Sequence, residues 1–166
     1  MLMRAPLLIF ATDRALAFHR NLRGAALGHE IGALLMIGRA VLVWLLMMVI
    51  ETIHGVLRSL LLVLLVGDLR ARQLGVFIGS GLILGIAVLL IDWIRPSSVR
   101  ELLVIGAMWL VLTLAFEFGL GHALGRPWSA LVADFDLTGG GLLSIGMVVL
   151  ARSPWIAARI RKADSD

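Results

Sequence analysis

Two glutamates stand inside otherwise apolar stretches of this sequence, Glu51 and Glu117, and each is followed by a histidine and an arginine. His54 lies three residues beyond Glu51, and Arg58 four beyond His54, so one face of a helix carries all three. In the second set His122 and Arg126 are again four apart, but Glu117 and His122 are five apart and share a face poorly. A carboxylate within a bilayer costs roughly 3 kcal/mol or more unless it is paired, protonated or turned toward water. The chemistry open to such groups is proton transfer or cation binding, with the histidines and arginines tuning the charge. The competing account is structural: the carboxylates bridge to basic neighbours and only hold helices together.

Three aspartates fall between the apolar stretches: Asp68, and Asp134 with Asp136 around Phe135. The Asp134-Phe135-Asp136 pattern can hold a hard cation with a phosphate, a weak signal on its own. Glu51 and His54 form one Glu-x-x-His pair, where di-iron bundles require two and further carboxylates. The candidates for ion or solute binding are therefore Glu51, His54, Arg58, Glu117, His122 and Arg126, with Asp68, Asp134 and Asp136 as loop candidates. No metal is assigned and no cofactor is expected. With no cysteine there is no thiolate ligand, disulfide or cysteine nucleophile.

The elements that must position these residues follow from composition. Of 166 residues 60% are hydrophobic and 16% charged, and the mean hydropathy is +1.00, too apolar for a soluble domain of this length. The fold class expected is all-α, an integral membrane four-helix bundle. Its net charge of +4 fits basic flanks touching anionic lipid rather than nucleic acid.

Spans are expected at about 33–57, 75–94, 102–121 and 140–160, within a bundle covering 32–166. Leu60–Val66 is too short to cross alone, follows Arg58 directly, and reads as a re-entrant or interfacial segment. Pro96 should end the second helix. Arg152 and Pro154 interrupt the fourth. Trp93, Trp128 and Trp155 read as interfacial anchors, and Trp44 and Trp109 as packing residues. The three glycines 139–141 should relieve crowding where the loop enters the last span.

Residues 1–31 differ, carrying Arg4, Arg14, Arg20 and Arg23 with Leu8, Ala11, Ala15, Phe18 and Leu22 at helical spacing. They read as an N-terminal amphipathic helix on the cytoplasmic surface, or as an extension ahead of a start at Met36. Eleven of the fifteen Lys and Arg residues fall on the side of the termini and the middle turn; Arg58, Arg70, Arg72 and Arg126 fall on the other. The positive-inside rule then places both termini in the cytoplasm of a bacterial inner membrane and the glutamates in the outer half. Taking Arg58 and Arg126 as the interface, Glu51 lies about 10 Å inward and Glu117 about 13 Å.

Shifting the chain by 66 positions aligns Glu51 with Glu117, Gly55 with Gly121, Asp68 with Asp134 and Gly75 with Gly141. Two tandem two-helix repeats and chance matching in a Leu- and Gly-rich chain both account for this. The blocks ETIHGVLR, GDLRARQLGVFIGS, FEFGLG and DFDLTGGG together resemble a group of small bacterial multi-pass membrane proteins. The resemblance covers roughly Met36 to Ile160; the arginine-bearing segment before it departs from the pattern. It implies four helices in a bacterial membrane and brings no activity, cofactor or substrate.

The function expected is a small ion or polar-solute transporter or channel-like bundle. The alternative is a non-catalytic accessory or scaffold subunit. A metal-dependent membrane enzyme using Asp134, Asp136 and Glu51 is a third reading. The expected partners are the bilayer and either further copies of the chain or a larger membrane complex.

Overall fold

A computed structural model describes the backbone of residues 5–164, and side chains from residue 30 onward. The chain falls into two compact units, Met1–Ile37 and Gly38–Asp166. The first is helical from Ala5; the amphipathic face expected over residues 1–31 depends on side chains almost all of which lie outside the described residues.

Helix α1 is Ala5–Leu57, followed without a break by one π-helical turn at Arg58–Leu62 and the short α2, Val63–Val66. Gly67, at φ +80°, reverses the chain. Helix α3 spans Asp68–Ile94, α4 Val99–Ala123, α5 Trp128–Ala133 and α6 Leu143–Ala163. Four stretches are long and apolar enough to cross a membrane: Glu30–Val66, Asp68–Ile94, Val99–Ala123 and Leu143–Ala163. The protein is a multi-pass membrane protein of helical-bundle type. Exposed Leu, Ile, Val and Phe side chains, among them Leu64 and Leu89, cover its outer surface, as lipid contact requires.

Leu60–Val66 is not a separate re-entrant segment but the end of the first transmembrane helix. From Gly38 to Val66 that helical path runs 29 residues, ~43 Å at 1.5 Å per residue, longer than the ~30 Å hydrocarbon core. Arg58 does not break it because the arginine stem lies against Gly75 of α3, where any side chain would collide with it. Nor does Pro154 break α6, although proline leaves the carbonyl four residues back without its donor. That carbonyl belongs to Leu150, and the buried Ser153 hydroxyl donates to it at 2.8 Å.

Helix ends follow local chemistry. Helix α3 stops at Arg95, a left-handed residue (φ 61°) just before Pro96. Helix α4 opens with Ser98, whose hydroxyl accepts from the Glu101 N–H, while Ser97 donates to the Glu101 carboxylate. The Ser98-x-x-Glu101 spacing is that of a capping box.

Within Gly38–Asp166 the order around the bundle is α1, α3, α6, α4. Helix α6 packs against both α3 and α4. Helix α1 is tied to α4 by two indoles: Trp44 Nε1 donates to Thr113 Oγ1 and Trp109 Nε1 to the Ala40 carbonyl, both at 2.9 Å. It meets α3 at Arg39, which donates to the Trp93 carbonyl and lies over its ring. Trp44 and Trp109 are thus packing residues. Trp109→Phe, which keeps the packing and loses the interhelical hydrogen bond, is expected to lower stability by about 1 kcal/mol. Reversible unfolding in mixed micelles would measure it; an unchanged midpoint would refute the tie.

The buried face of α3 has one residue every four: Ala71, Gly75, Gly79, Ile83, Ala87 and Ile91. It is small toward the Gly67 end and large toward the Pro96 end. Toward the Pro96 end Ile83, Ala87 and Ile91 are buried, as are Val43, Met47, Ile105, Trp109 and Leu150 of the other helices, an apolar core whose buried Ser153 hydroxyl is taken up by the Leu150 carbonyl. At the small end the bundle opens.

Candidate functional site

The opening is a cavity of about 640 Å³ to which α1, α3, α4 and α6 all contribute. Its lining runs from Met48, Ile83, Thr113 and Leu150 to Arg72, Arg126, Asp134 and Gly140, its mouth end, toward Gly67 and the 124–142 connection. The buried residues Val43, Met47, Ile91, Ile105 and Trp109 take no part in the lining, so the cavity stops at the apolar core.

At the inner level stands Glu51. Its carboxylate lies against Gly79, where a Cβ would stand 2.7 Å from Oε2. Oε2 also meets His54 Nδ1 at 3.1 Å, the i,i+3 contact that the spacing predicts. Three buried polar atoms here have no hydrogen-bond partner: Glu51 Oε1, His54 Nε2 and Ser80 Oγ. Such atoms are rare in well-packed interiors, where nearly every buried polar group is paired.

Glu117 enters from α4, half-buried, with Asp134, Arg126 and Glu51 as the charged groups acting on it. Arg58 lines the same cavity, and its guanidinium makes no ion pair with any described residue. At the mouth Asp134 accepts from Arg72 at 3.1 Å and from Arg126 at 2.9 Å; Arg72 also reaches Asp68 at 3.1 Å.

Of the nine residues singled out by sequence, six line the cavity: Glu51, His54, Arg58, Glu117, Arg126 and Asp134. His122, Asp68 and Asp136 do not. His122 and Arg126 were expected on one helical face, but α4 ends between them. Gly125, at φ +72°, turns the chain, with Gly125 N–H on the His122 carbonyl and Arg126 N–H on the Gly121 carbonyl. This Schellman closure sends Arg126 to Asp134 and leaves His122 exposed, stacked on Trp128 at 5.7 Å.

Asp136 belongs to the loop that leads into α6. Its carboxylate accepts from the Thr138 hydroxyl at 2.7 Å and the Thr138 N–H at 2.9 Å. These bonds, the hydroxyl foremost, hold its pKa below the ordinary value. A depressed folded pKa stabilises above the unfolded pKa and is lost as pH falls through the folded one. Thr138→Val is expected to move the Asp136 midpoint upward, read by carboxyl-carbon NMR titration. An unmoved midpoint would contradict the hydroxyl's role. In the same loop Gly140 adopts φ +85°, and a side chain at Gly141 would strike the Ala133 and Asp134 carbonyls, so the glycine run does relieve crowding.

The pairs aligned by the 66-residue shift have different surroundings. Gly75 is seven residues inside α3, whereas Gly141 precedes α6. Asp68 lies beside the mouth, whereas Asp134 is its central acceptor.

Gly79, Ser80, Arg72, Gln73 and Thr113 also line the cavity and were not singled out by sequence. The four-residue spacing of Ala71, Gly75 and Gly79 is the signal that points to the first of them. Among the described residues, no three His, Cys, Asp or Glu side chains gather into a group that could hold a metal ion.

No protein-family model, curated protein or solved structure matches the chain. The resemblance to small bacterial multi-pass proteins therefore rests on its four sequence blocks alone.

Proposed function

We propose that this protein binds a small ion or polar solute in the cavity and passes it through the membrane, with Glu51 and Glu117 as the groups that meet it. The carrying observation is the cavity itself: about 640 Å³, lined by both glutamates, within helices that are otherwise apolar. His54, Arg58 and Arg126 set the charge around the two carboxylates. The apolar core stops the cavity short of the Pro96 end of the bundle, so passage requires the helices to rearrange. The reading places the mouth outside and both termini in the cytoplasm of a bacterial inner membrane, following the arginine distribution.

The test is flux into proteoliposomes for wild type, Glu51→Gln and Glu117→Gln, with thermal stability read on the same samples. Transport predicts at least about a tenfold loss of flux in variants that remain folded. If wild type moves no proton, alkali cation, anion or small polar solute, and the variants only melt earlier, transport is refuted.

A second reading is a non-catalytic accessory or scaffold subunit. It is favoured by the bridge from Arg72 of α3 through Asp134 to Arg126, which ties together the ends of three segments. Under it, Asp134→Asn lowers stability by about 1 kcal/mol, and a partner protein or further copies of the chain accompany it through purification from native membranes.

A further inference from the structure

We infer that the ligand of this cavity is a small zwitterion, a molecule with an ammonium at one end and a carboxylate at the other. The inference rests on the cavity being a binding site, as proposed above, and names the chemistry that it takes.

Charge balance comes first. Three cationic side chains line the cavity, Arg58, Arg72 and Arg126, and three anionic ones, Glu51, Glu117 and Asp134. Among its Arg, Asp and Glu side chains the lining carries no net formal charge. A bare ion entering a low-dielectric space of zero net charge brings an uncompensated charge; a zwitterion does not.

Hydrogen-bonding capacity then divides the cavity into two ends. At the inner end Glu51 Oε2 is met by His54 Nδ1, and Oε1 of the same carboxylate is buried without a partner. A carboxylate oxygen calls for a donor, and an ammonium supplies both the N–H groups and the opposite charge.

The other end is a donor. Arg72 and Arg126 are engaged by Asp134, but the Arg58 guanidinium has no ion-pair partner among the described residues. An unpaired guanidinium within the span is costly, and a carboxylate is its best complement, two N–H groups to two oxygens. The two ends are held at a fixed separation. The Arg58 stem is seated on Gly75 and the Glu51 carboxylate on Gly79, four residues or ~6 Å apart along α3. Glycine at both positions lets each side chain lie against the α3 backbone.

The test is calorimetric titration of the full-length protein in lipid nanodiscs with glycine, β-alanine and 4-aminobutanoate. Methylammonium, acetate and sodium serve as single-charge probes. The expected result is that at least one amino acid binds about tenfold or more tightly than every single-charge probe. Glu51→Gln and Arg58→Gln should each weaken it by about tenfold or more. If Arg58→Gln does not fold, Arg58→Lys, which keeps the charge and loses the planar fork, should still weaken amino-acid binding and leave sodium and methylammonium unaffected. Methylammonium or sodium binding as tightly as the best amino acid, insensitive to Arg58, overturns the zwitterion and leaves the cavity standing as a cation site. Binding of no probe, together with no flux, overturns both.

Discussion

Gly106→Leu is expected to prevent assembly of the bundle, the largest effect of any single substitution considered. A Cβ at Gly106 would fall on the backbone carbonyl of Ala151, where α4 crosses α6. Flexible side chains can swing away from an added methyl group, but a carbonyl inside a helix can yield only if the two helices separate. Overpacking of this kind costs 1–3 kcal/mol for small insertions, and a whole isobutyl group should exceed about 3 kcal/mol. Gly85→Leu is the control, because residue 85 is exposed and nothing lies within 4 Å of its Cβ position. Thermal unfolding in detergent should find Gly85→Leu folded and Gly106→Leu absent from the folded fraction. A Gly106→Leu protein that melts within a few degrees of wild type would mean that α4 and α6 do not approach this closely.

Gly79→Ala should separate site from fold. The atom that an alanine methyl would meet is the far end of the Glu51 side chain, 2.7 Å away, so the carboxylate can move aside while the helices stay in place. Its displacement breaks the 3.1 Å contact with His54 and shifts the unpartnered Oε1 from its buried position. The melting temperature should change by no more than about 2–4 °C, while flux or ligand binding falls about tenfold. Gly81→Ala, two residues away with open space at its Cβ, should leave both unchanged. Equal activity in the two variants would mean that the seat of Glu51 on α3 has no functional weight.

The spans were legible because hydropathy reports burial in lipid directly, and Pro96 marked a boundary that the structure keeps. What lay beyond the sequence was the work of single contacts. Arg58 reads as the end of a span until Gly75 supplies the groove for its stem. Pro154 reads as a break until Ser153 satisfies the Leu150 carbonyl.

For the site, the i,i+3 pairing of Glu51 and His54 was readable from helical geometry alone, whereas the fate of His122 was not. It depended on a single left-handed glycine, Gly125, which ended α4 before Arg126 could share its face. Arg72 became part of the site only through Asp134, 62 residues away, and long-range pairs of this kind leave no periodic trace. The core that stops the cavity was likewise invisible: the Trp44–Thr113 and Trp109–Ala40 bonds each join residues 69 apart.

Binding and passage through this cavity require Glu51 to face water inside the bundle rather than lipid or packed protein. The chain contains no cysteine, so single thiols can be introduced without background. Glu51→Cys and Ile53→Cys place them two residues apart on α1, the first toward the cavity and the second on the lipid-exposed surface, where Ile53 is 55% exposed. A membrane-impermeant thiol reagent needs water and a thiolate to react. The measurement is its rate of labelling from each side of oriented vesicles. The expected result is reaction of Glu51→Cys from the side of the Gly67 and 124–142 connections only, with Ile53→Cys inert from both. An inert Glu51→Cys, or equal rates for the two variants, would contradict the account.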